Sequence, residues 1–345
     1  MTKLFYRIIS IVLFLVILNI SVNGQFNYKI NAESGLFRSF GSGLYANNNE
    51  DILLAAEGLA GYKINEDRRN ALVQIRLRPE FYGISNELRS LKFKASAAYY
   101  QQENNFNWGI NTDRLLFNFN GNNIDISYNQ FLISGELTFF PFDNGPLVAD
   151  AGYSFEKITS DQNQNLDMTF INVCAYDIIS TSLKVGYGIH LERFFVTSNI
   201  NQPQNKNGTN NGWRYGPQLK IKYLKDFITS LDYEFLLHNS RLTSSLSYEN
   251  MLRFVAGKIL SERWSAFVLV DYYSRNFKIK DAANNNDALL YTAANYENRI
   301  YLKLAYDVTE ALAVYFKSGY FKENISNDKF TFEGINILLG LELGN

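Results

Sequence analysis

The stretch from Ile300 to Tyr320, IYLKLAYDVTEALAVYFKSGY, alternates with period two, reverses, and alternates again. Ile300, Leu302, Leu304 and Tyr306 fall on one face of its first arm, with Tyr301, Lys303 and Ala305 on the other. After a turn at Asp307–Glu310, Leu312, Val314 and Phe316 oppose Ala313, Tyr315, Lys317 and Gly319. Alternation on both sides of a tight turn specifies an antiparallel hairpin. Its apolar face must be covered, and no segment with helical periodicity follows that would cover it. An apolar face outward toward lipid, a polar face inward toward water and tyrosines at the strand ends satisfy the pattern.

The same pattern recurs from about residue 26 to 344. The segments fall near 26–32, 52–63, 71–83, 91–101, 106–119, 124–140, 147–159 and 166–177, then 182–195, 213–224, 229–238, 242–258, 264–278, 290–306, 311–322 and 330–344. In VQIRLRPEF, Val73, Ile75, Leu77 and Phe81 oppose Gln74, Arg76, Arg78 and Glu80. In LKFKASAAY, Leu91, Phe93, Ala95 and Tyr99 oppose Lys92, Lys94 and Ser96. A basic residue at every second position suits a water-filled interior and not a dry core. The segments number about sixteen, with fourteen as the alternative count. Short turns near 225–228, 260–263 and 307–310 alternate with longer connections at 199–211, 279–289 and 322–329. The expected fold class is an all-β, transmembrane, antiparallel up-and-down barrel.

Residues 1–24 carry Lys3 and Arg7 ahead of the apolar run Ile8–Ile20, with Val22 and Gly24 before Gln25. That order is expected of an export signal, leaving 25–345 as the barrel. The run is shorter than the ~20 apolar residues of a spanning helix. A net charge of -1 gives no basis for nucleic-acid binding. The single cysteine, Cys174, cannot form an intramolecular disulfide. With 27 Phe and 23 Tyr against 5 Pro, the composition favours strands over loops.

A signal segment, even-numbered alternating strands, tyrosine-capped ends and a terminal strand with Ile335, Ile337, Leu339, Leu341 and Leu343 on one face resemble bacterial outer-membrane β-barrels. The resemblance is one of pattern and is porin-like, with no specific family matched. The chain departs from it by ending in Gly344-Asn345 where an aromatic is common. The resemblance implies residence in the outer membrane of a Gram-negative cell envelope. The partners it implies are outer-membrane lipid, the barrel-insertion machinery and, for an exporter, periplasmic partners. The expected function is a passive or gated channel for small hydrophilic solutes. The alternatives are a dedicated export barrel for an envelope polysaccharide and a structural or adhesive barrel whose loops bind a partner.

Presumed inward rows carry both signs of charge. The residues expected to line the lumen are Lys184, His190, Glu192, Arg214, Lys220, Lys222, Asp232, Glu249, Arg253, Glu297 and Arg299. Arg114 is expected on the same side. Arg214, Lys220 and Lys222 with Lys184 form a basic stripe that would concentrate anionic solutes, with Glu192 and Asp232 as neutralising neighbours. A barrel-embedded hydrolase would have to use His190 or His238, neither of which belongs to a recognisable motif. No catalytic residue is expected. One cysteine and two separated histidines give no metal-ligand spacing, loop carboxylates such as Asp281 and Asp287 match no calcium loop, and no cofactor motif is present.

Overall fold

Alternating β-branched, aliphatic and aromatic residues are strand formers, and the chain forms strands almost throughout. The computed structural model describes residues 24–39, 50–83, 88–121, 124–142, 145–159, 162–200, 208–280, 297–325 and 330–344. Sixteen strands occupy them. They are β1 (Gly24–Ser39), β2 (Glu50–Glu66), β3 (Arg69–Tyr82), β4 (Leu88–Gln102), β5 (Phe106–Gly121), β6 (Ile124–Phe142), β7 (Gly145–Thr159) and β8 (Gln162–Ile178). The second half comprises β9 (Leu183–Ile200), β10 (Gly208–Leu224), β11 (Ile228–Ser240), β12 (Ser247–Ile259), β13 (Trp264–Asn276), β14 (Glu297–Asp307), β15 (Leu312–Ile325) and β16 (Phe330–Gly344). Each strand pairs antiparallel with its sequence neighbours, and β1 pairs with β16 to close the sheet. Closure removes both sheet edges and pairs the backbone within the wall, as hydrocarbon requires.

Carried through all sixteen pairings, the register returns to β1 displaced by about 20 residues. With sixteen strands that shear tilts each by about 40° and gives a radius of roughly 16 Å. At the end where β1 begins and β16 finishes, the connections are short: 67–68, 103–105, 143–144, 179–182, 225–227, 260–263 and 308–311. At the other end they are uneven, from 122–123 to the long 277–296. We refer to these as the turn end and the loop end.

Ile30 and Leu36 on β1, Ile133 on β6, Ile171 on β8, Ile189 and Leu191 on β9, Ile300 and Leu302 on β14 and Ile337, Leu339 and Leu341 on β16 are all exposed. They form an outward apolar band. Aromatic pairs edge it at the turn end, with Tyr99 and Trp108 at 5.4 Å and Trp264 and Tyr306 at 4.9 Å. Nearer the loop end the Arg193 guanidinium lies over the Trp213 ring at 5.5 Å. Flanking aromatic girdles are the mark of a transmembrane barrel.

Four sequence expectations change. β1 runs to Ser39 and not to Ala32, because Gly35 continues the pairing at the seam. An ideal Cβ on Gly35 would lie 1.9 Å from the Ile337 carbonyl oxygen. Gly35→Val is therefore expected to impair closure, read as loss of the heat-resistant folded band in electrophoresis of refolded protein. β12 begins at Ser247 instead of 242, since Ser240 and Thr243 fold the preceding residues into a hydrogen-bonded turn. β14 starts at Glu297. Arg114 lies exposed on the outward row of β5, opposite Phe131, and Leu115, Phe117 and Phe119 point inward. The sequence misleads here because β5 buries apolar residues inside the barrel, so apolar content no longer marks the lipid side. A long arginine can place its stem on the apolar surface and its head nearer the polar edge.

The expected signal segment lies outside the described residues, apart from Gly24, which opens β1. Asp281 and Asp287 also lie outside them.

Candidate functional site

Because side chains alternate strictly along a strand, the rows opposite the exposed apolar band face the lumen. The register places Lys184, His190, Glu192, Arg214, Lys220, Lys222, Asp232, Glu249, Arg253 and Arg299 on those rows. Glu297 is the first residue of β14, and its side chain lies outside the described residues. The lumen has two differently built walls.

On the wall from β9 to β14, most directly opposed charges differ in sign. Arg214 is held between two carboxylates: Nη1 donates to both oxygens of Glu192 at 3.1 and 2.9 Å, while Nε and Nη2 donate to Glu249 at 3.0 and 2.9 Å. All three residues are buried, Glu249 completely. Tyr273 adds a hydroxyl donor to Glu249 at 3.0 Å, and His190 Nε2 sits 3.4 Å from Glu192. Asp271 accepts from Arg253 at 2.9 Å and from Arg299 at 2.6 Å. Toward the turn end, Lys220 opposes Asp232 and Lys222 opposes Lys184, whose Nζ lies 4.0 Å from the Tyr176 ring centre. The basic stripe is therefore split. Arg214 is sequestered in the wall, and the three lysines form a separate group nearer the turns.

The wall from β14 through β1 to β5 is built differently. Arg78 donates to Glu80 at 2.6 Å, Glu33 at 3.1 Å and Glu57 at 3.4 Å. Arg76 donates to Glu57 at 2.6 Å, and Lys317 to Glu33 at 3.2 Å. Tyr82 and Ser90 donate to Glu80, and Tyr315 to Glu33. The three glutamates are buried; Arg76, Arg78 and Lys317 line a cavity of about 200 Å³ together with Glu80, while Glu33 and Glu57 lie outside its lining. The sequence places Arg76, Arg78, Lys92 and Lys94 on inward rows without marking them as a group. The signal lies in RLRP (76–79) and LKFK (91–94), which face each other across one connection.

At the loop end the interior becomes apolar. Phe37 lies 5.8 Å from Tyr82 and 5.5 Å from Phe321, and Tyr82 lies 6.4 Å from Phe119, in a buried cluster with Ile126, Tyr128 and Ile158. A second cluster joins Leu166, Met168, Phe194 and Val196 on the facing strands. His238 belongs to this layer. It is fully buried between Phe194 and Phe277, with Nδ1 2.9 Å from the Thr243 hydroxyl. That burial keeps substrate from its ring and makes it a packing residue.

No family model matches the chain, and no curated protein matches its sequence. Among solved structures it is similar to CdiB from Acinetobacter baumannii, with a TM-score of 0.50 and 8% identity, over 93% of this chain and 60% of that one. It is also similar to OprB from Pseudomonas putida, with a TM-score of 0.45 and 11% identity over 93% and 94% of the two chains. The alcaligin outer-membrane receptor FauA from Bordetella pertussis aligns with a TM-score of 0.42 and 8% identity over 93% and 76%. At such identities the likeness extends to the fold and no further. The chain has the fold of the bacterial outer-membrane β-barrels, here with sixteen strands.

Proposed function

We propose that this protein is an outer-membrane conduit for small hydrophilic solutes. The observation that carries the reading is the division of the wall: exposed aliphatic rows outside, and inside them rows of arginine, lysine, aspartate and glutamate held in ion pairs. Some of these pairs are buried in the wall, but Arg253, Arg76 and Lys94 are 64%, 50% and 45% exposed on inward rows, which a dry interior would not allow, and about sixteen strands leave room for water. The apolar layer at the loop end supports the gated form of the reading. Outer-membrane lipid is the natural solvent for the outward band, and the terminal strand β16 is the segment that an insertion machinery would read.

The test is conductance of the refolded protein in a planar bilayer across a range of salts. Steady ohmic steps are expected. A barrel that inserts but passes no current would remove the conduit reading and favour export with periplasmic partners, or a structural role. On the conduit reading, the lumenal acids and bases orient and concentrate solutes and catalyse nothing.

A further inference from the structure

We propose that the cavity against β3 and β4 is a binding site for a small organic anion with an apolar body, such as an aromatic or aliphatic monocarboxylate. The proposal deepens the conduit reading by naming a solute class. Three observations carry it.

The first is the arrangement of charge. Across β3 and β4, Arg76 is directly opposite Lys94 and Arg78 directly opposite Lys92. Across β14 and β15, Lys303 is opposite Lys317. Like charges directly opposed on a sheet are destabilising. On the other side Arg214 with Glu192 and Arg253 with Asp271 alternate in sign and Lys184 with Lys222 does not, whereas on β3 and β4 two successive inward pairs are both cationic.

The second is layering. Arg76, Arg78, Lys92, Lys94, Arg299 and Lys317 all line the cavity, and among the described residues Glu80 is the one acid that lines it with them. The compensating Glu33 and Glu57 sit behind, with side chains 7% and 8% exposed, whereas Arg76 and Lys94 are 50% and 45% exposed. The buried carboxylates hold the basic side chains in place, and the face presented to the cavity is positive. Arg76 and Lys94 are the most accessible members, each with a single ion pair on one side.

The third is the remainder of the lining. Leu53, Leu115, Phe321 and Leu338 give the cavity an apolar part, with Tyr82 and Tyr301 between the apolar and basic regions. Inorganic phosphate would use only the basic part. A carboxylate carried on a hydrocarbon or ring would use both. A volume of about 200 Å³ corresponds to roughly seven waters, the space of a benzoate-sized acid with some hydration left.

The test is calorimetric titration of the folded, detergent-solubilised barrel with benzoate and, separately, with inorganic phosphate. Saturable benzoate binding that weakens with salt is expected, at least tenfold tighter than phosphate. Arg76→Gln with Lys94→Gln is expected to weaken it at least tenfold, and Lys94→Gln alone by several-fold. Lys94→Gln guards against misfolding, since among the described residues its only ion pair is to the partly exposed Asp113. Lys220→Gln with Lys222→Gln is expected to leave benzoate binding unchanged. No benzoate binding, equal affinity for phosphate, or loss only in the Lys220/Lys222 variant would each overturn the proposal. Binding is read without a membrane, so a non-conducting barrel that binds benzoate sinks the conduit reading alone. A conducting barrel that ignores benzoate sinks this inference alone.

Discussion

Replacing Arg214 with Met is expected to lower the unfolding free energy by about 3–5 kcal/mol, the cost of breaking a buried ion pair from one side. The guanidinium makes two bonds to Glu192 and two to Glu249, and both carboxylates are buried in the wall. Without it, two like charges remain across β9, β10 and β12, with Tyr273 and His190 as their nearest polar neighbours. Urea titration in phospholipid vesicles reads the effect through Trp213, which is next in sequence to Arg214 and faces outward. Adding Glu192→Gln and Glu249→Gln to Arg214→Met is expected to recover most of the loss, because the uncompensated charge is then gone. A loss below ~1 kcal/mol for the single variant would mean that water reaches this network and that the wall is not held together there.

The second large effect lies on the opposite face. Leu339→Arg in β16 is expected to cost about 2–4 kcal/mol in lipid, the range for an arginine at the bilayer midplane, and Leu343→Arg about 0–1 kcal/mol near the interface. Both leucines belong to the exposed outward row, and Leu339 is central among Ile335, Ile337, Leu341 and Leu343. Stability of the two variants in vesicles of one lipid composition gives the comparison. Depth dependence separates a lipid-facing row from a water-facing one. If both substitutions were neutral, the apolar band would be in water and the barrel would not span a bilayer.

Much of this fold is legible along the chain. The segments 71–83 and 91–101 announce β3 and β4 within a few residues, and the Ile300–Tyr320 hairpin is found as expected, with β14 and β15 joined at 308–311. Misreadings arise where composition stops reporting the side. In β5 the inward row is Leu115, Phe117 and Phe119, so the charge of Arg114 points to the wrong side. The alternation of β1 fades after Ala32 because its inward row is polar and broken by Gly35, leaving little contrast with a loop.

The candidate site divides in the same way. Arg76, Arg78, Lys92 and Lys94 can be found from sequence, since one connection sets their register. Glu33 meets Lys317 and Tyr315 across more than 280 positions, and only barrel closure brings them together. The basic stripe divides for that reason: the sequence shows Arg214 on the row of Lys220 and Lys222, but not that Glu249, two strands away, claims its second edge.

What the sequence by itself determined is a succession of fourteen to sixteen strands, the alternation of faces and the contrast between short turns and uneven loops. These follow from the two-residue period of an extended backbone and from local turn chemistry. What only the tertiary structure decided is which charges neutralise each other and which are left to face the cavity. That depends on the shear of the closed sheet, because one register step moves a charge to the other face of the wall.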